Sequence, residues 1–396
     1  MRFDAGPKQT YDGSWFAVIR VAIIGTGAIA PAHGEAYRTF AQRCEIVAVC
    51  DIFPEKARKF AERFGTSIRV VEDYRMLLGD EDIDLVSVCT PPYTHASIAI
   101  DFLLAGKHVL VEKPMAASLE ECDQMLSAKE KSGRILSVVA QNRFRTDMMK
   151  LKGVLDSGVA GEIVHAQVDS YWWRGHSYYD LWWRGTWERE GGGCTLNHAV
   201  HHLDALQWMM GMPTEVVATM GNVSHDNAEV EDISIALLRF ANGALGQATS
   251  SVVHHGQEQQ MIFQGKNARV SVPWKLFAST SKPNGFPEED VAKENEINTL
   301  YESLPEVPYE RHIGQIDNLL TAIETGNPVL VDGAEGRNTL ELITAIYKSA
   351  TTARAVPLPL HSDDPFYRRE SMLSHSIHFY EKSTSVNEFS SNEITS

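Results

Sequence analysis

Two short stretches of the chain carry side chains whose types and spacing suit proton and hydride chemistry. Glu112-Lys113-Pro114 ends the apolar run HVLV and sets a lysine at a strand terminus. An ammonium there stabilises a developing alkoxide and helps to position a substrate hydroxyl for proton loss. Pro114 fixes its own φ and restricts Lys113 to an extended backbone. The second stretch, Gly191-Gly192-Gly193-Cys194-Thr195-Leu196-Asn197-His198-Ala199-Val200-His201-His202-Leu203-Asp204, reads as a flexible glycine run feeding a helix. Asn197, His201 and Asp204 fall at i, i+4 and i+7 and so share one helical face. Imidazole, with an ordinary pKa of ~6.5, suits proton abstraction near neutrality. Asn197 is placed to hydrogen-bond substrate, and Asp204 either orients the ring or caps a neighbouring group. His198 and His202 are also four apart, but a zinc helix of that spacing wants Glu where Ala199 stands and no third ligand is evident, so no metal is expected.

Hydride chemistry needs an acceptor, and Gly25-Thr26-Gly27-Ala28-Ile29-Ala30 supplies the place for one. It follows the apolar run RVAII and opens a helix, the context in which G-x-G-x-x-A cradles a pyrophosphate at a helix N-terminus. Gly25 serves the tight turn, Gly27 lets the backbone approach the anion, and Ala28 and Ile29 lead into the helix. Asp51 lies 24 residues after Gly27 at the end of the next apolar run. A carboxylate there accepts from a ribose diol and repels a 2′-phosphate, which favours NAD over NADP; capping the turn before Phe53-Pro54 is the plainer role. Thr90-Pro91-Pro92 stops a further strand, with His95 starting the next helix, and either lines the cofactor crevice or simply breaks the strand. Glu112 and Lys113 are expected beside the same crevice.

Before the glycines lies SYWWRGHSYYDLWWRGTWERE, with five of the eight tryptophans: Trp172, Trp173, Trp182, Trp183 and Trp187. Indole faces stack on the C–H faces of a sugar or cyclitol, while Arg174, Arg184 and His176 bind hydroxyls; a subunit interface accounts for the same composition. Trp173, Arg174, Trp183 and Arg184 are the substrate-contact candidates, together with His198 and His312.

These residues require two frameworks. From Ile19 to about Asn142, short apolar runs (RVAIIG, EIVAVCD, IDLVSVCT, KHVLVE, ILSVVAQN) alternate with amphipathic stretches that end at Gly65 and Gly133, the rhythm of βαβ units and a parallel sheet. From 143 to 360 the segments TEVVATMGNV, ISIALLRFANGALGQATSSVV and QQMIFQGKNARVSV, with the helical DNLLTAIETG and TLELITAIYKSAT, predict an α+β body on a mostly antiparallel sheet. Asn242-Gly243 predicts a hairpin turn with positive φ at both positions. Residues 1–18 form an N-terminal extension, and 361–396 a mobile tail or an arm gripping a neighbouring subunit.

The length, 396 residues, suits two domains at ~100 to 200 residues each. Charge is 36 Lys plus Arg against 52 Asp plus Glu, a net −16 that repels phosphate backbones and anionic lipid; nucleic acid and membrane are not expected partners. Five scattered cysteines give neither a disulfide framework nor a metal set, and the N-terminus lacks the apolar run of a signal peptide, so a reducing cytoplasm is expected.

Taken together in this order and spacing, GTGAIA, CTPP, EKP and GGG-x3-N-x3-H-x2-D resemble the Gfo/Idh/MocA oxidoreductases over residues 19 to 360. The resemblance implies an N-terminal Rossmann domain, a C-terminal α+β domain whose large open sheet makes dimers or tetramers, and a bound nicotinamide. It implies Lys113 as catalytic lysine and His201 as base, in an enzyme that oxidises a secondary hydroxyl of an inositol or pyranose sugar. The sequence departs at Asn197, where inositol and sugar dehydrogenases of the family mostly carry Asp. A neutral amide cannot balance a charged lysine or imidazolium. An NAD-dependent glycoside hydrolase with transient sugar oxidation and a non-catalytic NAD-binding regulator are the rival readings.

Overall fold

The computed structural model describes residues 8–9, 15–16, 18–65 and 67–387. Of the expected N-terminal extension, only a two-residue pairing of Lys8–Gln9 with Trp15–Phe16 and residue 18 fall within this range. The chain forms two compact units: residues 1–144 with 307–337, and 145–306 with 338–396.

The first unit is built on six parallel strands: β1 (Ile19–Ile24), β2 (Cys44–Cys50), β3 (Arg69–Val71), β4 (Leu85–Val88), β5 (His108–Val111) and β6 (Leu136–Val138). Their order across the sheet is 3-2-1-4-5-6, which places a topological switch point between the ends of β1 and β4. β4 is buried at all four positions, as a strand covered on both faces must be, and its one polar residue, Ser87, is hydrogen-bonded to the Tyr37 hydroxyl at 2.7 Å. The crossover helices are α1 (Ala30–Thr39), α2 (Pro54–Phe64), α3 (His95–Leu104) and α4 (Leu119–Ser132). Gly133 closes α4 in the left-handed conformation at φ 65°, whereas Gly65 closes α2 in extended backbone.

A helix expected in the second domain completes this core instead. Residues 307–337 belong to the first unit, and their helix Arg311–Thr325 buries Ile316, Leu319 and Leu320 in the cluster formed by Ile19, Tyr37, Phe40 and Leu85. Arg43 grips it with a bidentate pair to Glu324 at 2.9 and 2.8 Å and an ion pair to Asp317, while Gln315 accepts from the Ala140 amide at 3.0 Å and donates to the Val138 carbonyl at 2.7 Å. Its apolar face was readable from the sequence; which sheet that face would join was not.

The second unit opens with the helix Thr146–Asp156 and is organised on a nine-stranded sheet. Strand Ile163–Tyr171 lies at its centre, parallel to Leu245–Ser251 and antiparallel to Gln259–Gly265; the remaining pairings are antiparallel. The turn joining Ile233–Arg239 to Leu245–Ser251 differs from expectation. Gly243 takes φ 86° but Asn242 is not among the residues of positive φ, because the Asn242 side chain instead accepts from the Ala244 amide at 3.1 Å. Alternation along the strands leaves Val217, Ile235, Leu237, Leu245 and Phe277 exposed, while Val216, Ala236, Leu238 and Ala248 are buried. All five cysteines are buried thiols, and no helix of the described residues is long and apolar enough to cross a membrane.

The segment expected as a tail or arm packs on its own unit as far as residue 387; 388–396 lie outside the described residues. After a short helix, Arg369–His375, it becomes a strap. Trp187 Nε1 donates to the Ile377 carbonyl at 2.9 Å, the amides of Ser383 and Thr384 donate to Asn227 Oδ1 at 2.9 Å each, and Val386 exchanges backbone bonds with Asp180 and Trp182. Asn227 is buried and also donates to the Thr384 carbonyl and Asp180. Asn227→Ala leaves several of these groups unmatched and is expected to lower unfolding stability by about 2 kcal/mol, with early proteolytic cleavage between 377 and 387. Thermal unfolding and limited proteolysis measure both effects.

Candidate active site

In the first unit the glycine turn sits at the switch point. Gly25 has φ 91°, and a Cβ there would stand 2.8 Å from the Cys89 carbonyl, so the ends of β1 and β4 approach as only glycine permits. Gly27 is exposed, with no heavy atom within 4 Å of a Cβ position, which leaves open approach to its backbone. The helix that follows has Ile29 as N-cap and no side-chain capping bond; Pro31 has no N–H, and the Ala30 and Ala32 amides donate to the Gly27 and Ile29 carbonyls at 3.2 and 3.0 Å. Asp51 accepts from the Thr26 amide and hydroxyl at 2.8 Å each through one oxygen and from the Phe53 amide at 2.9 Å through the other. The plainer reading of Asp51 is seen in these contacts, since it caps the turn before Phe53-Pro54, and the same side chain also fixes the glycine loop. Oδ2 has thereby used both of its acceptor sites, while Oδ1 keeps one beyond the Phe53 bond. These residues fit a dinucleotide, whose pyrophosphate the turn would hold and whose ribose Asp51 would face; bound there it would supply the hydride acceptor.

Thr90 accepts from the Thr94 hydroxyl at 2.7 Å, and Pro91 is exposed. His95, expected at the cofactor, is buried with its two ring nitrogens 2.7 Å from the Thr90 carbonyl and 2.9 Å from the Pro114 carbonyl. Its polar edges are engaged within the protein. Desolvation keeps the ring below its ordinary pKa despite those carbonyls, so it works as a clip between the loops that follow β4 and β5.

Glu112 is likewise buried. One oxygen lies 2.9 Å from His33 Nε2 and 3.7 Å from His312 Nε2; the other accepts from the Lys113 amide at 3.2 Å. Burial opposes ionisation of this carboxyl, but the two imidazoles outweigh it and hold the group well below the usual carboxylate range. Both imidazoles contribute, His33 from hydrogen-bond distance and His312 from 3.7 Å. The three donor atoms fall within 4.8 Å of one another, and the short His33 contact is an N–H···O bond rather than a ligand spacing. His312 therefore stands against Glu112 and His33 in the first unit. His33 escaped the sequence reading, although it follows the glycine fingerprint on the same helix. Lys113 is half-buried, and its peptide bond to Pro114 is cis.

In the second unit the glycine run is packed tight rather than flexible. A Cβ on Gly192 would meet the Tyr347 hydroxyl at 2.2 Å, and one on Gly193 the Glu231 carbonyl at 1.9 Å. Glu231, fully buried, accepts from the amides of Gly193 and Thr195 at 3.0 and 2.9 Å and from Tyr347 at 3.0 Å. Nothing in the local sequence VEDIS marks this role. The expected single helix is two: Cys194–Asn197, then Val200–Met210. His201 and Asp204 stay on one helix, one turn apart, and Asn197 lies before the break.

The Asn197 amide donates to the carbonyls of Gly192 and Gly193 at 2.8 and 3.2 Å; the side chain thus closes the turn that carries it. Asp204 is buried and accepts from Thr339 at 3.0 Å. His201 is half-buried at the start of its helix. His202 points to Ser170 at 3.0 Å, and burial, with Arg145, lowers its pKa to about 4. His198 points instead toward Tyr178, 3.4 Å from the hydroxyl.

The tryptophans divide by environment. Trp187 is core, edge-on to Tyr347, whereas Trp173 is exposed and stacked on His255, and Trp182 is exposed under Arg189. Arg184 lies 4.3 Å from the centroid of Trp183 and 4.0 Å from that of Tyr178; Arg174 stands over Trp172 and Tyr178 at 5.4 and 5.6 Å. His176 is on the surface, paired with Asp226.

A parallel sheet with a glycine turn at its switch point, joined to a second unit carrying a histidine helix, defines an NAD-dependent oxidoreductase. Residues 19–140 match the model of the Gfo/Idh/MocA oxidoreductase family, NAD-binding Rossmann fold, and residues 148–271 match the Gfo/Idh/MocA C-terminal domain. The chain belongs to this family. It is 27% identical over 345 residues to the myo-inositol 2-dehydrogenase of Thermotoga maritima, covering 86% of this chain and 98% of that one. It is also 27% identical to the D-glucoside 3-dehydrogenase of Escherichia coli, over 86% and 97% of the two chains. Among solved structures, the WlbA dehydrogenase of Chromobacterium violaceum in complex with NADH and UDP-GlcNAcA is 30% identical, with a TM-score of 0.75 over 91% of this chain and 100% of that one.

The contacts of Asn197 bear on its departure from Asp. Asn197→Asp sets a carboxylate against two carbonyl oxygens, which raises its folded-state pKa above the unfolded ~3.9. The cost is then full at neutral pH, about 1 to 3 kcal/mol, and fades as pH falls below the raised value, where the protonated carboxyl donates. Denaturant unfolding at pH 8 and pH 4 checks this; equal losses at both would remove the role given to the amide.

Proposed function

We propose that the protein oxidises a ring secondary hydroxyl of a sugar or cyclitol to a ketone, passing the hydride to NAD. The observation that carries this reading is Lys113, whose backbone amide is held by a buried carboxylate immediately after a strand that ends at the cofactor crevice. In the proposed step His201 accepts the hydroxyl proton and the Lys113 ammonium stabilises the alkoxide oxygen. Trp173 and Trp183 offer faces for the C–H surface of a ring. Inositol and glucoside dehydrogenases among the relatives support the substrate class.

Lys113→Ala is expected to lower kcat by ~10²- to 10³-fold while NADH binding, followed by fluorescence titration, is retained. Unchanged turnover would reject the assignment. NADH accumulating in proportion to ketone separates a dehydrogenase from a hydrolase that regenerates its cofactor.

The protein also acts as a homo-oligomer in this proposal, with the exposed row Val217, Ile235, Leu237 and Leu245 covered by a second copy. Leu237→Glu is expected to yield a smaller species by light scattering after gel filtration; an unaltered mass would exclude this face.

A further inference from the structure

Resting on the dehydrogenase reading above, we propose that the sugar carries a carboxylate, held by the side-on edge of the Arg184 guanidinium: the substrate is a sugar acid of the uronate class.

The argument begins with how Arg184 spends its donors. Its hydrogen bonds leave through Nη1, to the Tyr178 hydroxyl and to Glu190 Oε1 at 3.3 Å. Nε is buried and has no hydrogen-bond partner. A buried orphan donor is costly and uncommon. The Tyr178 and Trp183 rings lie against the guanidinium, at 4.0 and 4.3 Å, so a ligand must come to it in plane. The Nε and Nη2 edge then presents two parallel N–H groups, the geometry a planar carboxylate matches bidentately and a lone hydroxyl cannot.

Charge points the same way. Arg174 stands beside the same Tyr178 ring at 5.6 Å. Its hydrogen bonds go to the Trp173 carbonyl at 2.7 Å and Gln257 Oε1 at 3.0 Å, and among the described residues no carboxylate pairs with it. Arg184 thus has Glu190 as its carboxyl partner and Arg174 has none among the described residues, inside a chain of net charge −16. Burial pushes Glu190 up to about 7, against the pull of Arg184, which weakens its claim on that guanidinium near neutrality. The other groups facing Glu190 are Glu231, which raises it further, Lys382 and the Gly185 amide, which lower it, and Tyr178 and Tyr179.

The sign of the pH effect follows. A uronate, with a carboxyl pKa of ~3.5, stays charged from pH 6 to 8. Glu190 gains charge over the same interval, competes for Arg184 and repels the ligand, so uronate binding weakens as pH rises.

The test is calorimetric titration of the NADH-loaded protein with D-glucuronate and D-galacturonate, each against its neutral parent, D-glucose or D-galactose, and with glucose 6-phosphate. One acid is expected to bind at least ~10-fold more tightly than its parent, and more tightly at pH 6 than at pH 8. In Arg184→Lys, which keeps the charge and loses the fork, the advantage is expected to shrink several-fold. Equal affinity for acid and parent, no binding of either acid, equal binding of the phosphate, or an advantage untouched in Arg184→Lys each overturns the proposal. The wild-type panel and its pH dependence decide the matter should the variant not fold. Neutral sugars oxidised with no preference for acids would sink the carboxylate alone; acids bound without NADH formation from any sugar would sink the dehydrogenase reading alone.

Discussion

A negative charge sealed inside a protein must be answered on the spot, and Glu112 is where the first unit meets that demand. An unpaired buried carboxylate is strongly unfavourable. The answer comes from His33 on α1, His312 on the returning helix and the backbone amide of Lys113. Three segments far apart in the chain are thereby tied to one side chain at the end of β5. The lysine beside it owes part of its backbone position to the solution of that electrostatic problem.

The second unit treats its buried acid differently. Glu231 accepts from the amides of Gly193 and Thr195, yet burial outweighs these bonds and pushes its pKa up, and its own carbonyl leaves no volume for a side chain at Gly193. A glycine run commonly signals looseness, but here glycine is required because backbone, tyrosine and carboxylate converge on the turn. Asn197 completes it with an amide that an aspartate could not imitate.

Much of the first unit was legible in the sequence. Alternating apolar runs and amphipathic stretches mark its strands and helices, and the glycine fingerprint, with Asp51, marks the switch point. Lys113 and His201 could be singled out because their types suit the chemistry and their neighbours are distinctive. What escaped is long-range. His33 and His312 gain meaning only from a carboxylate that lies 79 residues from the first in sequence. Glu231 was unmarked because its partners are backbone amides. Helical periodicity carried His201 and Asp204 correctly and failed at Asn197, where the chain breaks the helix at His198 and Ala199 to close the turn. The helix Arg311–Thr325 shows the same limit, since an amphipathic pattern specifies that a face will be buried and not by what.

That helix also sets an order of assembly. The core of the first unit is finished by Ile316, Leu319 and Leu320, about 180 residues after the last strand of the sheet they cover, which ends at Val138. Between them comes most of the second unit, residues 145–306. As the polypeptide leaves the ribosome, the dinucleotide-binding half emerges first yet cannot be sealed until nearly all of its companion has been made. Contacts of such separation are slow to form, and transiently bare apolar surface invites aggregation. The half that emerges first is thus among the last to mature, and its exposed sheet is a natural client for chaperones during synthesis.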